Sequence, residues 1–158
     1  MSGITNKDLE KLCYMFFKKD FLGVFPCDVL PTSKKCNISV IFNLSKHNEA
    51  GTHFIAIIKN QKKTIFFDSY GKSCNNESIL KYLKQLNLPV EYNKSQIQAD
   101  TSSLCGYFCF YFLYNCFLKN KSLPFLIQKF TKNKNHLLKN DTLLLKNISK
   151  ILKIKIQL

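Results

Sequence analysis

The stretch from Gln98 to Cys116, QADTSSLCGYFCFYFLYNC, organises the rest of the chain. Its polar first part ends in the pair Cys105-Gly106, and a dense apolar run follows. An apolar run of this length favours a buried helix over a strand. A serine just before it, Ser102 or Ser103, can cap the helix start. We therefore expect Cys105 to lie at or near the first turn of a buried helix.

A cysteine at the start of a helix has a chemical consequence. The first N–H groups of a helix lack partners within it, and they carry roughly half a positive charge. This field favours the thiolate, which is the nucleophilic form of cysteine. A nucleophile needs a base, and the base needs an orienting group. The chain contains three histidines, so the candidates for the base are few.

Length and composition indicate a globular protein. The chain has 158 residues, of which 46% are hydrophobic, and this suits one domain with a real core. We predict a single α+β domain over residues 1–158. The polar first residues and apolar runs of at most about 12 residues indicate neither a signal segment nor a membrane span. We expect a protein that is not secreted and does not enter a membrane.

Local patterns place the other elements in chain order. Helices are predicted over Asn6–Lys19 with Thr5 as its cap, over Asn76–Asn87, from Ser122 onward, and after Asn140 as the cap of a last helix. Strands are predicted over Ile38–Leu44, Thr52–Lys59, Thr64–Asp68 and Val90–Gln98, with a hairpin joining the second and third. The segment Phe21–Lys35 is predicted to be a loop, because a glycine and two prolines interrupt it.

The cysteines indicate thiols rather than disulfides or metal ligands. They number seven and include no C-x-x-C pair. Without an export signal, we expect reduced thiols inside a cell. The nearest approach to a ligand pair is Cys105-x3-Cys109, which lies on the predicted helix with no histidine beside it. We therefore expect no metal ion.

The net charge of +14 at pH 7 points to an anionic partner. All 24 basic residues are lysines, and ten of them follow residue 118. Lysine acts as a point charge and does not read base edges as arginine does. We expect non-specific DNA binding through a lysine-rich surface. The alternative is a lysine-rich surface that reflects an AT-rich coding sequence and simply keeps the protein soluble.

His53 and Asp68 are the candidates for the base and its orienting group. His53 comes early in one strand of the predicted hairpin, and Asp68 ends the next. On neighbouring strands, the carboxylate can accept from one imidazole nitrogen and leave the other facing a thiol. Each residue also has a plain structural explanation, as a histidine at a strand edge or an aspartate in a turn. His47 and His136 lie in polar segments and are expected to be exposed.

Gln98 is the candidate for the side-chain hydrogen-bond donor of an oxyanion hole. Its side-chain amide, with the backbone N–H of Cys105, would form an oxyanion hole. An ordinary surface position explains Gln98 equally well, and Gln96 is a competitor. A small buried hydrophobe is the alternative for Cys105, and it is what we expect of Cys109 and Cys116.

The order His, Asp, Gln, Cys-Gly, each at the end of an element, resembles the adenovirus maturation proteases (adenain). These proteases belong to a wider group that includes the Ulp/SENP SUMO proteases. The matching segments are Gly51–Phe54, Phe66–Gly71, Gln98 and Ser103–Cys109, with a looser likeness at Phe21–Phe25. Papain-like proteases run in the order Cys, His, Asn, so the chain order argues against them.

The resemblance implies a fold and a mechanism. The fold is α+β, with a central mixed sheet packed against helices and a buried helix that begins at the nucleophile. Cys105 would be the nucleophile, His53 its base and Asp68 the group that orients the base. Gln98 and the N–H of Cys105 would form the oxyanion hole.

The resemblance also implies a viral endopeptidase that cleaves capsid and core precursor polypeptides during virion maturation. Such an enzyme works in the virion and inside the host cell, in a cytoplasmic virus factory or the nucleus. It needs no bound cofactor, although viral DNA or a viral peptide can activate it. Here no cysteine lies between Cys74 and Gln98 to hold such a peptide by a disulfide. We expect a monomer, and the Lys-, Asn- and Ile-rich composition favours a virophage or Maverick/Polinton-type DNA virus as the source.

Three other functions are compatible with the sequence. A SUMO or ubiquitin-like isopeptidase would share the chemistry and differ in substrate. A basic DNA-packaging protein would lack catalysis, and its Cys105 would react no faster than the other thiols. A degenerate protease kept as a capsid component is disfavoured, because all four expected positions hold competent residue types.

Overall fold

A sheet of five strands forms the centre of the fold in the computed structural model, which describes residues 3–156. The strands are β1 (Phe21–Pro26), β2 (Ile38–Asn43), β3 (Phe54–Lys59), β4 (Thr64–Phe67) and β5 (Val90–Tyr92). They lie side by side in chain order. The pairs β2–β3 and β3–β4 are antiparallel, whereas β1–β2 and β4–β5 are parallel. The predicted α+β class with a central mixed sheet is confirmed.

Five α-helices accompany the sheet within residues 3–156. They are α1 (Asn6–Phe17), α2 (Glu77–Leu86), α3 (Cys105–Leu113), α4 (Leu123–Ile127) and α5 (Leu138–Ile156). A π-helical turn, Tyr114–Leu118, extends α3. No helix of the described chain is both long enough and apolar enough to cross a membrane.

Both faces of the sheet are buried, which explains the nearly unbroken apolar run of β3. Phe54, Ala56 and Ile58 join the core that contains α1, α3 and α5. Ile55 and Ile57 point to the opposite face and pack in the core that contains α2. The sheet is therefore the middle layer, and α3 lies against β3 on one side of it.

The buried helix α3 begins at Cys105, as the sequence predicts. Gly106 is what allows its close approach to the sheet. A Cβ at that position would lie 2.5 Å from Ile4 Cγ2 and 3.2 Å from a ring carbon of Phe54. The predicted serine cap is wrong, because Leu104 is the cap residue and its side chain forms no capping bond.

The segment Phe21–Lys35 is not all loop, and that prediction is wrong for its first part. Phe21–Pro26 forms β1, the edge strand parallel to β2. Its register shifts between Phe21 and Val24, where Gly23 adopts a φ of +137°. A glycine at a bulge and a proline at a strand end are tolerated at the edge of a sheet. The same residues read as loop signals in the sequence.

Asn140 is not a helix cap, so that prediction is also wrong. It lies inside α5, and its side chain is buried. Its Nδ2 donates to the carbonyls of Ile97 (2.8 Å) and Thr131 (2.9 Å), while its Oδ1 accepts from the N–H of Thr131 (3.0 Å). The side chain thereby ties the last helix to the segment that leads into α3.

Candidate active site

The β3–β4 hairpin brings His53 and Asp68 together, as the sequence predicts. His53 immediately precedes β3 and Asp68 immediately follows β4, and antiparallel pairing puts these two positions at the same end of the sheet. His53 Nε2 and Asp68 Oδ1 are 2.8 Å apart. The two side chains are 12% and 6% exposed, so water screens their interaction weakly.

The imidazole of His53 also interacts with the Cys105 thiol, and each group shifts the pKa of the other toward its charged form. Burial alone would raise the pKa of the Cys105 thiol, but the bonds from His53 and from the backbone N–H groups of Phe54 and Gly106 lower it overall. Burial alone would lower the pKa of His53, but its bonds to Asp68 and Cys105 raise it to about 9. Both shifts favour a thiolate beside an imidazolium.

The contrast with other thiols is large. Burial raises the pKa of Cys13, Cys74 and Cys109, and it raises that of Cys116 to about 12. These thiols stay protonated and act as packing groups. The position of Cys105 in the fold therefore gives its thiol a lower pKa than those of these other cysteines.

Asp68 is held by a side chain that sequence reasoning missed. The buried Asn93 accepts from the N–H of Asp68 (2.9 Å) and donates to its carbonyl (2.5 Å). Asp68 Oδ1 also accepts from the N–H of Tyr70 (2.8 Å). Asn93 follows the short strand β5, and the sequence carries no signal that pairs it with a residue 25 positions earlier.

Tyr70 is a second missed residue. Its ring stacks on that of His53, with centroids 4.6 Å apart and planes at 30°. The Lys72 ammonium lies 5.3 Å from the centre of the Tyr70 ring. The stacking limits rotation of the imidazole and covers one of its faces.

Gln98 is 1% exposed and lines the same groove as Cys105. Its Oε1 accepts from the Ser69 hydroxyl (2.5 Å), and its Nε2 donates to the carbonyl of Ser102 (2.8 Å). An amide nitrogen carries two hydrogens, and the bond to Ser102 uses one of those of Gln98.

The other candidates lie away from the thiol. Gln96 donates to the Gln98 carbonyl and to Asp100, and it lines a different surface. His47 is exposed and pairs with Asp28 through Nδ1 (2.6 Å). His136 is exposed in a short 3₁₀ turn. Among residues 3–156, no group of three His, Cys, Asp or Glu side chains lies close enough to hold a metal ion.

A groove of about 550 Å³ runs over the candidate residues. His53, Gln98 and Cys105 all line it, together with Tyr70. The segment from Gly3 to Asn6 forms part of its wall. An extended peptide could therefore reach the thiol, the imidazole and the amide from one side.

A thiol, an imidazole and a carboxylate in a row, beside an amide donor and an open groove, are the parts that hydrolytic enzymes with a thiol nucleophile use. Comparison with known proteins supports a protease. The chain is 30% identical over 144 residues to a protease of Bovine adenovirus 7, covering 79% of this chain and 70% of that protein. A protease of Bovine adenovirus 4 gives 30% over 142 residues, with the same coverage.

A protease of Ovine adenovirus D serotype 7 (isolate OAV287) is 29% identical over 134 residues, covering 74% of this chain and 66% of that protein. No protein-family profile matches the chain. The chain belongs to the adenovirus protease family. It is a viral-type protease, and this part of the predicted function is confirmed. The relation to SUMO proteases and the virophage or Maverick/Polinton source stay predictions.

Proposed function

We propose that the protein is a cysteine endopeptidase with Cys105 as its nucleophile. The observation that carries the proposal is the row formed by Asp68, His53 and Cys105. Cys105 lies at the start of a buried helix, and its thiol pKa is lowered. Membership of a protease family supports hydrolysis of peptide bonds. Gln98 and the backbone N–H of Cys105 are proposed as the oxyanion hole.

In the first half of the reaction, the Cys105 thiolate attacks the peptide carbonyl carbon and forms a C–S bond. The carbonyl oxygen becomes an oxyanion, which accepts from Gln98 and from the N–H of Cys105. The imidazolium of His53 then gives its proton to the departing amine as the C–N bond breaks. The product is a thioester on Cys105.

In the second half, water replaces the amine. His53, now neutral, takes a proton from water, which attacks the thioester carbonyl. The C–S bond breaks, the acid product leaves, and Cys105 returns as a thiolate beside protonated His53. Asp68 orients the imidazole throughout and favours its charged form. Tyr70, stacked on the ring, keeps it in the plane of the row.

The proposed substrates are capsid and core precursor polypeptides of a virus, cleaved during virion maturation. This rests on the viral proteases to which the chain is similar and on a groove open enough for a peptide segment. The proposed place of action is the virion and the interior of the host cell. We propose a monomer, since the groove is complete within one chain.

We propose that DNA is a non-specific partner. The net charge is +14, and nine lysines after residue 118 have exposed side chains: Lys119, Lys121, Lys129, Lys132, Lys134, Lys139, Lys146, Lys150 and Lys153. Affinity for a random duplex should fall steeply as salt rises, because phosphate contacts release counterions. A flat plot of log affinity against log salt would remove DNA from the proposal.

The test of the nucleophile is thiol reactivity by position. The folded protein is treated with substoichiometric iodoacetamide at mildly acidic pH, where thiols with a pKa near 8.5 are mostly protonated. Peptide mass spectrometry then identifies the labelled cysteine. Selective labelling of Cys105 that fades in His53→Ala is expected. Slow labelling spread over several cysteines would contradict the assignment.

A further inference from the structure

A second cavity of about 230 Å³ adjoins the candidate site. His53 and Tyr70 line both this cavity and the groove, so the stacked rings form the partition between the two. Neither Cys105 nor Gln98 lines it. The cavity therefore lies on the imidazole side of the row, away from the thiol and the oxyanion donor.

The lining of the cavity is mostly apolar. Leu44 and the buried Phe66 contribute hydrocarbon surface, and Cys74 is half-buried beside them. Lys72 is exposed at the cavity, and it forms no ion pair with any carboxylate in the described part of the chain. The surface of the pocket is thus mostly apolar, with the His53–Asp68 pair in its wall and the Lys72 ammonium beside it.

The reaction determines which part of a substrate passes this pocket. His53 must come within hydrogen-bond reach of the departing amine to protonate it. The substrate residues just after the scissile bond therefore pass the stacked rings of His53 and Tyr70. A side chain on that part of the substrate is the group that can enter the cavity.

We propose that this cavity is a specificity pocket for an apolar side chain at the first or second position after the scissile bond. An acidic residue next to that side chain is favoured by Lys72, and a basic one is disfavoured. The proposal rests on the proposed function, because it assigns the leaving-group side from the role of His53. The pocket has room for one bulky aliphatic or aromatic side chain.

The test is a cleavage profile on peptides. The full chain is incubated with a peptide mixture from a digested proteome, and the new termini are sequenced by mass spectrometry, with Cys105→Ala as background. A cleaved sequence is then made as quenched fluorogenic peptides with Leu, Phe, Gly, Lys or Glu at each of the first two positions after the cut. Leucine or phenylalanine should exceed glycine in kcat/KM by about tenfold or more at one of these positions.

Cys74→Phe fills the pocket, and the ratio of the leucine to the glycine peptide should then fall toward one. Cys36→Phe is the matched control, because Cys36 is exposed and lines none of the pocket; its ratio should stay at the wild-type value. A wild-type ratio that persists in Cys74→Phe would overturn the proposal.

Lys72→Glu gives a second test, which does not depend on filling the pocket. The preference for an acidic over a basic neighbour, up to about fivefold for an exposed charge pair, should reverse. Cleavage that depends on Cys105 but shows no preference after the cut would overturn the pocket and leave the proposed function standing. Absence of any cleavage that depends on Cys105 would overturn both.

Discussion

Asp68→Asn should move the alkaline limit of activity to lower pH. Burial alone would lower the pKa of His53, but its bonds to Asp68 and Cys105 raise it to about 9. In the proposed mechanism the imidazolium protonates the leaving amine, so activity should fall as pH rises through this pKa. Asparagine keeps the shape of Asp68 and removes the charge that stabilises the imidazolium.

The size of the shift follows from the 2.8 Å bond between His53 Nε2 and Asp68 Oδ1. A hydrogen bond to a charged group contributes about 1.5–3 kcal/mol, and one pKa unit corresponds to about 1.36 kcal/mol. Because the His53–Asp68 pair is weakly exposed, its hydrogen bond should retain most of this free energy. The alkaline limb should therefore move down by about 1 to 2 pH units.

The assay is kcat/KM for a fluorogenic peptide across roughly pH 5 to 11 at fixed ionic strength. The iodoacetamide rate of Cys105 over the same range reports the ion pair without substrate. Asp28→Asn is the control, since it removes the carboxylate that pairs with the exposed His47 and should leave both profiles unchanged. An alkaline limb that stays near pH 9 in Asp68→Asn, in both assays, would refute the role given to the carboxylate.

Three further outcomes are expected. Cys105→Ala should abolish peptide cleavage, while Gln98→Ala should retain weak activity, with kcat lower by about a hundredfold or more; equal loss in both would argue against an oxyanion role. Asn93→Ala leaves the buried N–H of Asp68 unpaired, while the Asp68 carbonyl still accepts from the N–H of Gly71, so urea unfolding should show a loss of about 1–3 kcal/mol, and a change below about 0.5 kcal/mol would contradict this. Gly106→Ala should cost about 1–3 kcal/mol of stability by overpacking; unchanged urea unfolding would show that the neighbours of Gly106 give way.

The parts of the fold that were predictable depend on local patterns. Two short runs of apolar residues with a polar turn between them predicted β3 and β4 as a hairpin, and the hairpin alone puts His53 near Asp68. Thr5 caps α1 by accepting from the N–H of Asp8, as its position indicated. The length of the apolar run after Cys105 correctly favoured a helix.

What the sequence did not reveal depends on contacts between distant residues. Asn93 bonds a backbone 25 residues away, and Asn140 bonds one 43 residues away. A buried asparagine and an exposed one look the same in a sequence, because only the folded chain decides which backbone groups lack partners. The strand β1 was missed for a related reason, since its glycine and proline are acceptable only at an edge that another strand defines.

These distant contacts also explain how a short chain can position a reactive pair. Cys105 comes from a helix and His53 from the start of a strand, so their separation depends on how closely α3 packs on β3. Gly106 sets that approach, because its missing side chain leaves room for Phe54 and Ile4. An added methyl group would lie 2.5 Å from Ile4 and 3.2 Å from the Phe54 ring, so either these side chains move or α3 shifts from β3 and carries the thiol with it. The Cys-Gly pair is therefore best understood as one unit, in which Cys105 is the proposed nucleophile and Gly106 leaves room for the helix to pack closely.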